Sequence, residues 1–297
     1  MLEIITLGTG AAVPGLFRNH SSTALAHNGD ITLFDCGEAT QHQIQKVRLR
    51  HSKIKSIFIS HVHGDHLFGL LGLLTTLSLN GRETPLLLCG PRGIKDYIAY
   101  NLKFIRGELL YPLHIREVKD NDVIDLGPLA EVSVIPLKHT VPTCGFLYRE
   151  KDKPGKFDIE AARKLGLPPG PLYGKLQKGQ NIEFNGEVIE PSRVMGPPRK
   201  GISVGYALDT EPCQGTHLIA EHSDVLIHDA TYKDEDQAYA RRGKHSTHGE
   251  AIDLALKQGV KRLILTHFSQ RYLEFFQNEN RDGLEIVYAY DGMRLLL

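Results

Sequence analysis

Residues 60–66 read Ser-His-Val-His-Gly-Asp-His, which places four side chains able to bind a metal, His61, His63, Asp65 and His66, in one short segment. Imidazole and carboxylate together suit zinc or a similar first-row ion. The run Ser56-Ile57-Phe58-Ile59-Ser60 before it is strand-like, and a Leu/Gly-rich helical stretch follows. No single helix or strand face could gather all four side chains, so a loop between strand and helix must fan them into a cleft. The set is richer than one tetrahedral site needs, because a catalytic ion keeps a position open for water. Two neighbouring ions are the expectation.

The rest of the composition sets limits. A length of 297 residues fits one large domain or two small ones. Thirty-five basic and thirty-five acidic residues cancel, so a global basic signature for nucleic acid is absent and any such contact needs a local patch. Fifteen histidines fit a metal site. Cys36, Cys89, Cys144 and Cys213 form no C-x-x-C pair and read as buried thiols of a reducing cytosol. The start, Met-Leu-Glu-Ile-Ile-Thr, lacks a secretion signal, and no apolar run reaches membrane-spanning length. A soluble, cytoplasmic protein with no membrane partner is expected.

Strands are expected at 2–7, 21–26 and 31–34, the last two split by the hairpin signal Asn28-Gly29-Asp30. A buried helix should run from Leu67 to Leu79, stopped by Asn80-Gly81, then a strand at 86–89 and a helix to about Leu102. Strands resume at 132–137, 145–148, 202–208, 225–228, 262–265 and 285–290, with helices near 216–222 and 247–258. Strands followed by helices in both halves argue for an α/β sandwich.

Between them, Arg149 to Lys200 is rich in Gly, Pro and Lys with little sustained periodicity. It carries eleven basic against seven acidic residues. So long a segment without regular structure inside a compact domain is usually functional. A tolerated surface insertion is the plainer reading; a protruding basic arm that grips something anionic is the sharper one.

Three further residues stand at strand ends: His139 after 132–137, Asp209 after 203–208, and His267 after 263–266. Each is of a type that binds zinc, and a carboxylate such as Asp209 can bridge two ions where imidazole cannot. With the four-ligand loop already demanding partners, joint ligation outweighs three unrelated turn residues.

The Ser-His-x-His-x-Asp-His loop, with Asp35-Cys36-Gly37-Glu38 upstream, resembles the metallo-β-lactamase fold, an αββα four-layer sandwich. Within it the chain resembles the short form of ribonuclease Z, the tRNA 3′-processing endonuclease. The motifs span nearly the whole length: Leu7-Gly8-Thr9-Gly10, Arg18-Asn19, Pro136-Leu137-Lys138-His139, Gly205-Tyr206-Ala207-Leu208-Asp209-Thr210, His245-Ser246-Thr247 and Thr266-His267-Phe268-Ser269-Gln270-Arg271-Tyr272. The Gly-Pro-Pro segment of the insertion also looks like that family's tRNA-gripping arm. The chain departs from the family pattern twice: Leu16 stands where Pro-x-Lys-x-Arg-Asn has its lysine, and His-Glu-Ala-Thr reads His228-Asp229-Ala230-Thr231.

The resemblance implies one domain over 1–297 with an inserted arm at 149–201, working as a homodimer on precursor tRNA. It implies two zinc ions per subunit, one held by His61, His63 and His139, the other by Asp65, His66 and His267, with Asp209 bridging. The arm residues expected to meet RNA are Lys151, Lys153, Lys156, Lys175, Arg199 and Lys200. Shape, through phosphate and sugar contacts, would select the substrate. Water activated between the ions would attack, oriented by Asp65. His245 would protonate the departing 3′ oxygen, with Asp229 orienting it and holding it cationic. His248, one turn on, is expected to be structural. Two rivals remain: another hydrolase of the same fold, which has no use for a basic arm, and an RNA-binding protein with structural metals, which would close each ion with four ligands.

Overall fold

A computed structural model describes residues 1–297, which divide into two compact units, one of Met1–Arg149 with Ser203–Leu297 and one of Glu150–Ile202. The first unit contains two large sheets. The seven-stranded sheet runs in the order Arg294–Leu296, Leu2–Gly8, Ser22–His27, Asp30–Phe34, Ile54–Phe58, Leu86–Gly90, Leu113–Glu117. The eight-stranded sheet runs Glu279–Arg281, Leu284–Tyr288, Arg262–Thr266, Val225–Asp229, Ser203–Ala207, Thr143–Glu150, Ala130–Leu137, Val123–Asp125.

Aromatic rings join the two sheets. Phe34 and Phe58 from one sheet and Phe146 and Tyr206 from the other are fully buried. Phe34 lies 5.5 Å from Phe146 and 5.3 Å from Tyr206, centroid to centroid. On the outer face of the first sheet, Leu70, Leu73, Leu74 and Leu77 of helix Gly69–Leu79 and Ile94 and Ile98 of helix Ile94–Phe104 pack with Leu33, Ile57 and Leu88. On the second, Ile219 and Ala220 of helix Gln214–Glu221 and Ala251, Ile252 and Ala255 of helix His248–Gln258 pack with Leu226, Leu263 and Leu265. Helix, sheet, sheet, helix is the expected αββα layering.

Parallel pairing sets where the chemistry emerges. Ile54–Phe58 lies parallel to both Asp30–Phe34 and Leu86–Gly90. Ser203–Ala207, Val225–Asp229 and Arg262–Thr266 form a parallel run in the other sheet. The carboxyl ends of such strands share an edge, and the loops leaving them can converge there. Close backbone approach helps: a Cβ at Gly69 would stand 2.0 Å from the Gly37 carbonyl oxygen, and one at Gly37 would stand 2.3 Å from that of Asp65.

Several elements were not legible in the sequence. The helix expected over 67–79 is two, Gly64–Leu67 and Gly69–Leu79, so Asp65 and His66 already stand in a helical turn. Strands Leu113–Glu117, Val123–Asp125, Glu279–Arg281 and Arg294–Leu296 and helices Thr40–Lys46 and Gln237–Gly243 were not expected. They are short, and all four strands lie at or next to sheet edges, where little of the hydrophobic pattern survives.

The stretch expected to lack regular structure has its own small fold. It holds helices Ile159–Lys164 and Pro171–Gln177 and a hairpin of Ile182–Phe184 with Glu187–Ile189. Ala162, Leu167, Leu176, Ile182, Ile189 and Val194 make a buried cluster of their own. Asp158 caps the first helix by accepting from the Ala161 N–H at 2.9 Å, and Pro171 opens the second. Asn185 and Gly186, at φ 54° and 80°, form the hairpin turn. Residues taken for a loop composition are the caps and turns of helices too short to reveal a period.

Candidate metal centre and active site

His61, His63, Asp65 and His66 leave the end of Ile54–Phe58; His139 lies in the hairpin between Ala130–Leu137 and Thr143–Glu150; Asp209 and His267 follow Ser203–Ala207 and Arg262–Thr266. Asp209 and His267 have φ of 50° and 63°, a left-handed conformation uncommon for side chains of this size. Strain of this kind is kept where surrounding structure demands it. Here it turns each side chain off its strand towards the shared edge.

The seven residues resolve into two groups, each with its ligand atoms within 4.8 Å of one another: His61, His63, His139 and Asp209, and Asp65, His66, Asp209 and His267. In the first, His61 Nε2 and His139 Nε2 lie 3.1 Å and 3.3 Å from His63 Nδ1, and 3.5 Å and 3.4 Å from Asp209 Oδ2. In the second, His66 Nε2 and His267 Nε2 are 3.3 Å apart, lie 3.0 Å and 2.9 Å from Asp209 Oδ1, and stand 3.5 Å and 3.6 Å from Asp65 Oδ2. One carboxylate gives an oxygen to each group.

Outward hydrogen bonds fix the imidazoles. His66 Nδ1–H donates to Asp35 Oδ2 at 2.7 Å and His139 Nδ1–H to the Lys244 carbonyl at 3.1 Å. Ser60 Oγ donates to Asp35 and so accepts from His61 Nδ1–H at 2.9 Å. Thr231 Oγ donates to Asp229 Oδ1 and so accepts from His267 Nδ1–H at 2.8 Å. With Nδ1 protonated in all four, each Nε2 presents a lone pair inward. Ring nitrogens stand 3.1 Å apart in His61–His63, beside Asp209 Oδ2, and 3.3 Å apart in His66–His267, beside the buried Asp209 Oδ1, which has no hydrogen-bond donor of its own, and such a set could hold cations. The residues fit metal ions.

Without an ion the same carboxylates attract protons. Burial opposes charge on His66 and His267, but Asp209, with Asp35 beside His66, overrides it and holds both above the ordinary histidine range, His267 at about 10. Burial pushes His61 well below that range, helped by the neighbouring His66. Burial works against ionisation of Asp65, yet hydrogen bonds from His267 and His66 hold it below the usual carboxylate range. Metal entry therefore displaces protons.

Beside this centre, His245 Nδ1 lies 2.9 Å from Asp229 Oδ2, with its ring 4.9 Å from His139 and 5.4 Å from His267. Burial disfavours its charge, but Asp229 outweighs burial and raises its pKa. Asp229 reaches His245 although it is one methylene shorter than the family's glutamate. It also accepts from the Thr210 and Thr231 backbone N–H groups at 3.0 Å and 2.8 Å. His248 is buried among Phe268, Tyr272, Phe276 and Tyr288, as a structural residue would be.

Two supporting residues stood in motifs of the sequence without a role of their own. Asp35 is fully buried and accepts from Ser60 N–H (2.8 Å), Ser60 Oγ (3.0 Å), Tyr206 OH (2.8 Å) and His66 Nδ1 (2.7 Å). Thr231 links Asp229 to His267. Asp35 had the same signal as the ligands, a charged residue just past a strand. Arg18 serves structure: its guanidinium donates to the Tyr272 and Glu274 carbonyls at 2.6 Å and 2.7 Å and lies over Phe268. Leu16 is 93% exposed. In the 150–202 unit, Lys151, Lys156, Lys175, Arg199 and Lys200 are exposed, while Lys153 pairs with Glu150 at 2.5 Å.

A family model described as anti-Pycsar protein Apyc1 matches residues 2–103, which include the four-ligand loop but not His139, Asp209, His245 or His267. Over almost the full length, the chain is 40% identical to a ribonuclease Z of Methanosarcina acetivorans, covering 99% of this chain and 98% of that one. Human tRNase Z, short form, superposes with a TM-score of 0.71 at 28% identity, covering 99% and 98% of the two chains. A metallo-β-lactamase fold protein from Bacillus subtilis matches in fold alone, with a TM-score of 0.65 at 14% identity over the whole of both chains. The chain thus belongs to the ribonuclease Z family, built on the metallo-β-lactamase fold.

Proposed function

We propose that the protein is an endoribonuclease that cuts the 3′ trailer from precursor tRNA by hydrolysis, leaving a 3′-hydroxyl on the tRNA and a 5′-phosphate on the trailer. The observation that carries this reading, together with family membership, is the division of Asp209 between two ligand groups with a His–Asp pair alongside. Two zinc ions per subunit would be held by His61, His63 and His139 on one side and Asp65, His66 and His267 on the other, with Asp209 shared. Ions held there would supply Lewis acidity, lowering the pKa of water to about 7 and offsetting negative charge.

The chain's own groups do the rest. Asp65, whose Oδ2 faces His66 and His267 and accepts the Ala12 N–H at 2.8 Å, orients the attacking water and takes its proton on the other oxygen. His245, protonated under the charge of Asp229, gives a proton from Nε2 to the 3′ oxygen as its bond to phosphorus breaks. Water is consumed and one alcohol and one phosphate monoester are produced. The 150–202 unit, through Lys151, Lys153, Lys156, Lys175, Arg199 and Lys200, holds the folded tRNA body by its phosphates. A homodimer working in the cytoplasm completes the reading; no helix is long and apolar enough to cross a membrane.

Incubating a trailer-bearing precursor tRNA with the protein, with and without a chelator, tests it. One cut at the trailer junction, abolished by chelator and restored by zinc, is expected. An intact precursor, or a cut indifferent to chelator, would overturn it.

A further inference from the structure

Lys244 ends helix Gln237–Gly243 in the left-handed conformation, at φ 53° and ψ 55°. Glycine is the residue such a helix end favours, because a Cβ is crowded there. The chain instead has a long cationic side chain, one residue before His245. A backbone strained in this way points to a use for the side chain that imposes it.

Two hydrogen bonds tie Lys244 to the metal ligand His139. Its carbonyl accepts from His139 Nδ1–H at 3.1 Å, and its Nζ donates to the His139 carbonyl at 3.1 Å. The first bond is made by backbone, and a glycine at 244 would supply the same carbonyl. The ammonium is what the side chain adds. It has three N–H donors, of which the His139 carbonyl takes one. Lys244 makes no ion pair, and carboxylates of the neighbouring segments are engaged elsewhere: Asp229 with His245 at 2.9 Å, Glu211 with Lys138 at 2.8 Å, and Glu250 with Arg241. Lys244 is half-buried, so its charge is held in place and still reachable by a ligand.

The surroundings say which ligand. His139 sends Nε2 into the metal centre, 3.4 Å from Asp209 Oδ2, whereas Lys244 Nζ stands at the His139 backbone, set back from the ions. A Cβ at Gly243 would lie 2.8 Å from His245 Cδ2, so the segment 243–245 closes tightly on the His245 ring, which is itself 4.9 Å from that of His139. Proton donor and ammonium thus share one side of the centre. His245 serves the 3′ oxygen of the last tRNA nucleotide, which brings the sugar of that nucleotide to this side. The next anion along the strand from that sugar is the phosphate on its 5′ side, and an ammonium with open N–H groups suits it. We propose that Lys244 binds the phosphate 5′ of the last tRNA nucleotide and so fixes the register of the strand in the centre. The proposal rests on the functional reading above, including the role of His245.

Lys244→Gly tests it, since glycine keeps the left-handed turn and the carbonyl on His139 and removes only the ammonium. The variant should retain zinc and hydrolysis of a nitrophenyl phosphodiester, which has no flanking phosphate. Its KM for precursor tRNA should rise roughly tenfold, as expected for losing a hydrogen bond to a charged group. The log–log dependence of kcat/KM on salt should flatten by about 0.7, one phosphate contact. Two further precursors carry a single neutral methylphosphonate, one at the phosphate 5′ of the last tRNA nucleotide and one at the first phosphate within the trailer. Wild-type protein should lose on the first what Lys244→Gly loses on the normal precursor, and the variant should lose nothing more on it; on the second, both proteins should respond alike. Additive losses on the first precursor, or coupling on the second instead, would overturn the assignment. Loss of zinc or of nitrophenyl ester hydrolysis would make Lys244 a brace for His139 and overturn it too. A wild-type chain that leaves the normal precursor uncut would refute the functional reading itself.

Discussion

Replacing Asp35 with asparagine keeps the shape of a fully buried side chain but removes its charge and one acceptor. Of the four donors it meets, three, from Ser60 Oγ, Tyr206 and His66, converge on Oδ2 and one, the Ser60 N–H, on Oδ1. The least costly orientation puts the amide oxygen at Oδ2 and turns the NH2 group on the Ser60 N–H. That leaves a buried backbone donor unsatisfied, at a cost of about 1–3 kcal/mol. For a chain of this size the loss corresponds to roughly 2–5 °C in melting temperature. His66 also loses the anion that holds its Nδ1 proton and aims its Nε2, and changes of this kind cost about 10- to 100-fold in metal affinity. Competition against a chromophoric chelator should show one metal equivalent weakened by that factor and the other much less affected, because His61 meets Asp35 only through Ser60 Oγ, which keeps its acceptor at the Oδ2 position in that orientation. Tyr206→Phe removes one donor without freeing His66, and is the control: it should lower the melting temperature less and leave both equivalents in place. If Asp35→Asn melted early yet bound both ions like the wild-type chain, Asp35 would be a brace for the fold and the reasoning about His66 would be wrong.

His245→Ala should slow precursor cleavage by about 10²- to 10⁴-fold while largely sparing a nitrophenyl phosphodiester, whose leaving group needs no proton; equal loss on both substrates would remove it as proton donor. Asp229→Asn should do more than mimic it, because Asp229 also accepts from Thr210 and Thr231 and so supports His267; metal content measured beside rate would show this, and full metal retention would contradict it. Deleting 151–200 and joining the ends with a short Gly/Ser linker is feasible because Glu150 N–H already donates to the Ile202 carbonyl at 2.9 Å. The shortened chain should keep phosphodiester hydrolysis and lose precursor tRNA; parallel loss of both with metal retained would argue against an independent tRNA-binding unit. His248, which burial depresses from 6.5 to about 4, binds its proton more readily when unfolded, so its share of stability is whole above pH 6.5 and fades as pH falls towards 4. In chelator, His248→Phe should therefore lose roughly 2 kcal/mol less than the wild-type chain between pH 7 and pH 5 in urea unfolding, and an equal loss would place the titration elsewhere.

The residues that were legible and those that were not differ for physical reasons. His61, His63, Asp65 and His66 are neighbours in sequence, so their grouping is visible without a fold. Asp209 and His267 were readable because buried parallel strands discharge polar residues at their carboxyl ends, and parallel pairing brings those ends to one edge; His139 was readable as a polar residue just past a strand, although that strand is paired antiparallel. Asp35 obeys the same rule but belongs to the support, since its oxygens point at His66 and Ser60 and never at the centre; position alone does not separate the two jobs. Thr231 is a hydroxyl between two stronger candidates, and only its three-way geometry reveals its part. Arg18 and Asn19 carried only the family resemblance in the sequence; in the fold Arg18 clamps carbonyls of the 272–274 loop and Asn19 donates to Asp291 at 2.8 Å. The 150–202 unit hid its fold because helices of six and seven residues span too few turns to display a period.

The central claim is that water attacks phosphorus and the tRNA 3′ oxygen departs protonated. Single-turnover cleavage of a precursor tRNA in ¹⁸O-labelled water, followed by mass analysis of both products, tests it directly. The account predicts one ¹⁸O atom in the 5′-phosphate of the trailer and an unlabelled 3′-hydroxyl on the tRNA. A 2′,3′-cyclic phosphate or a labelled 3′-phosphate on the tRNA would contradict it.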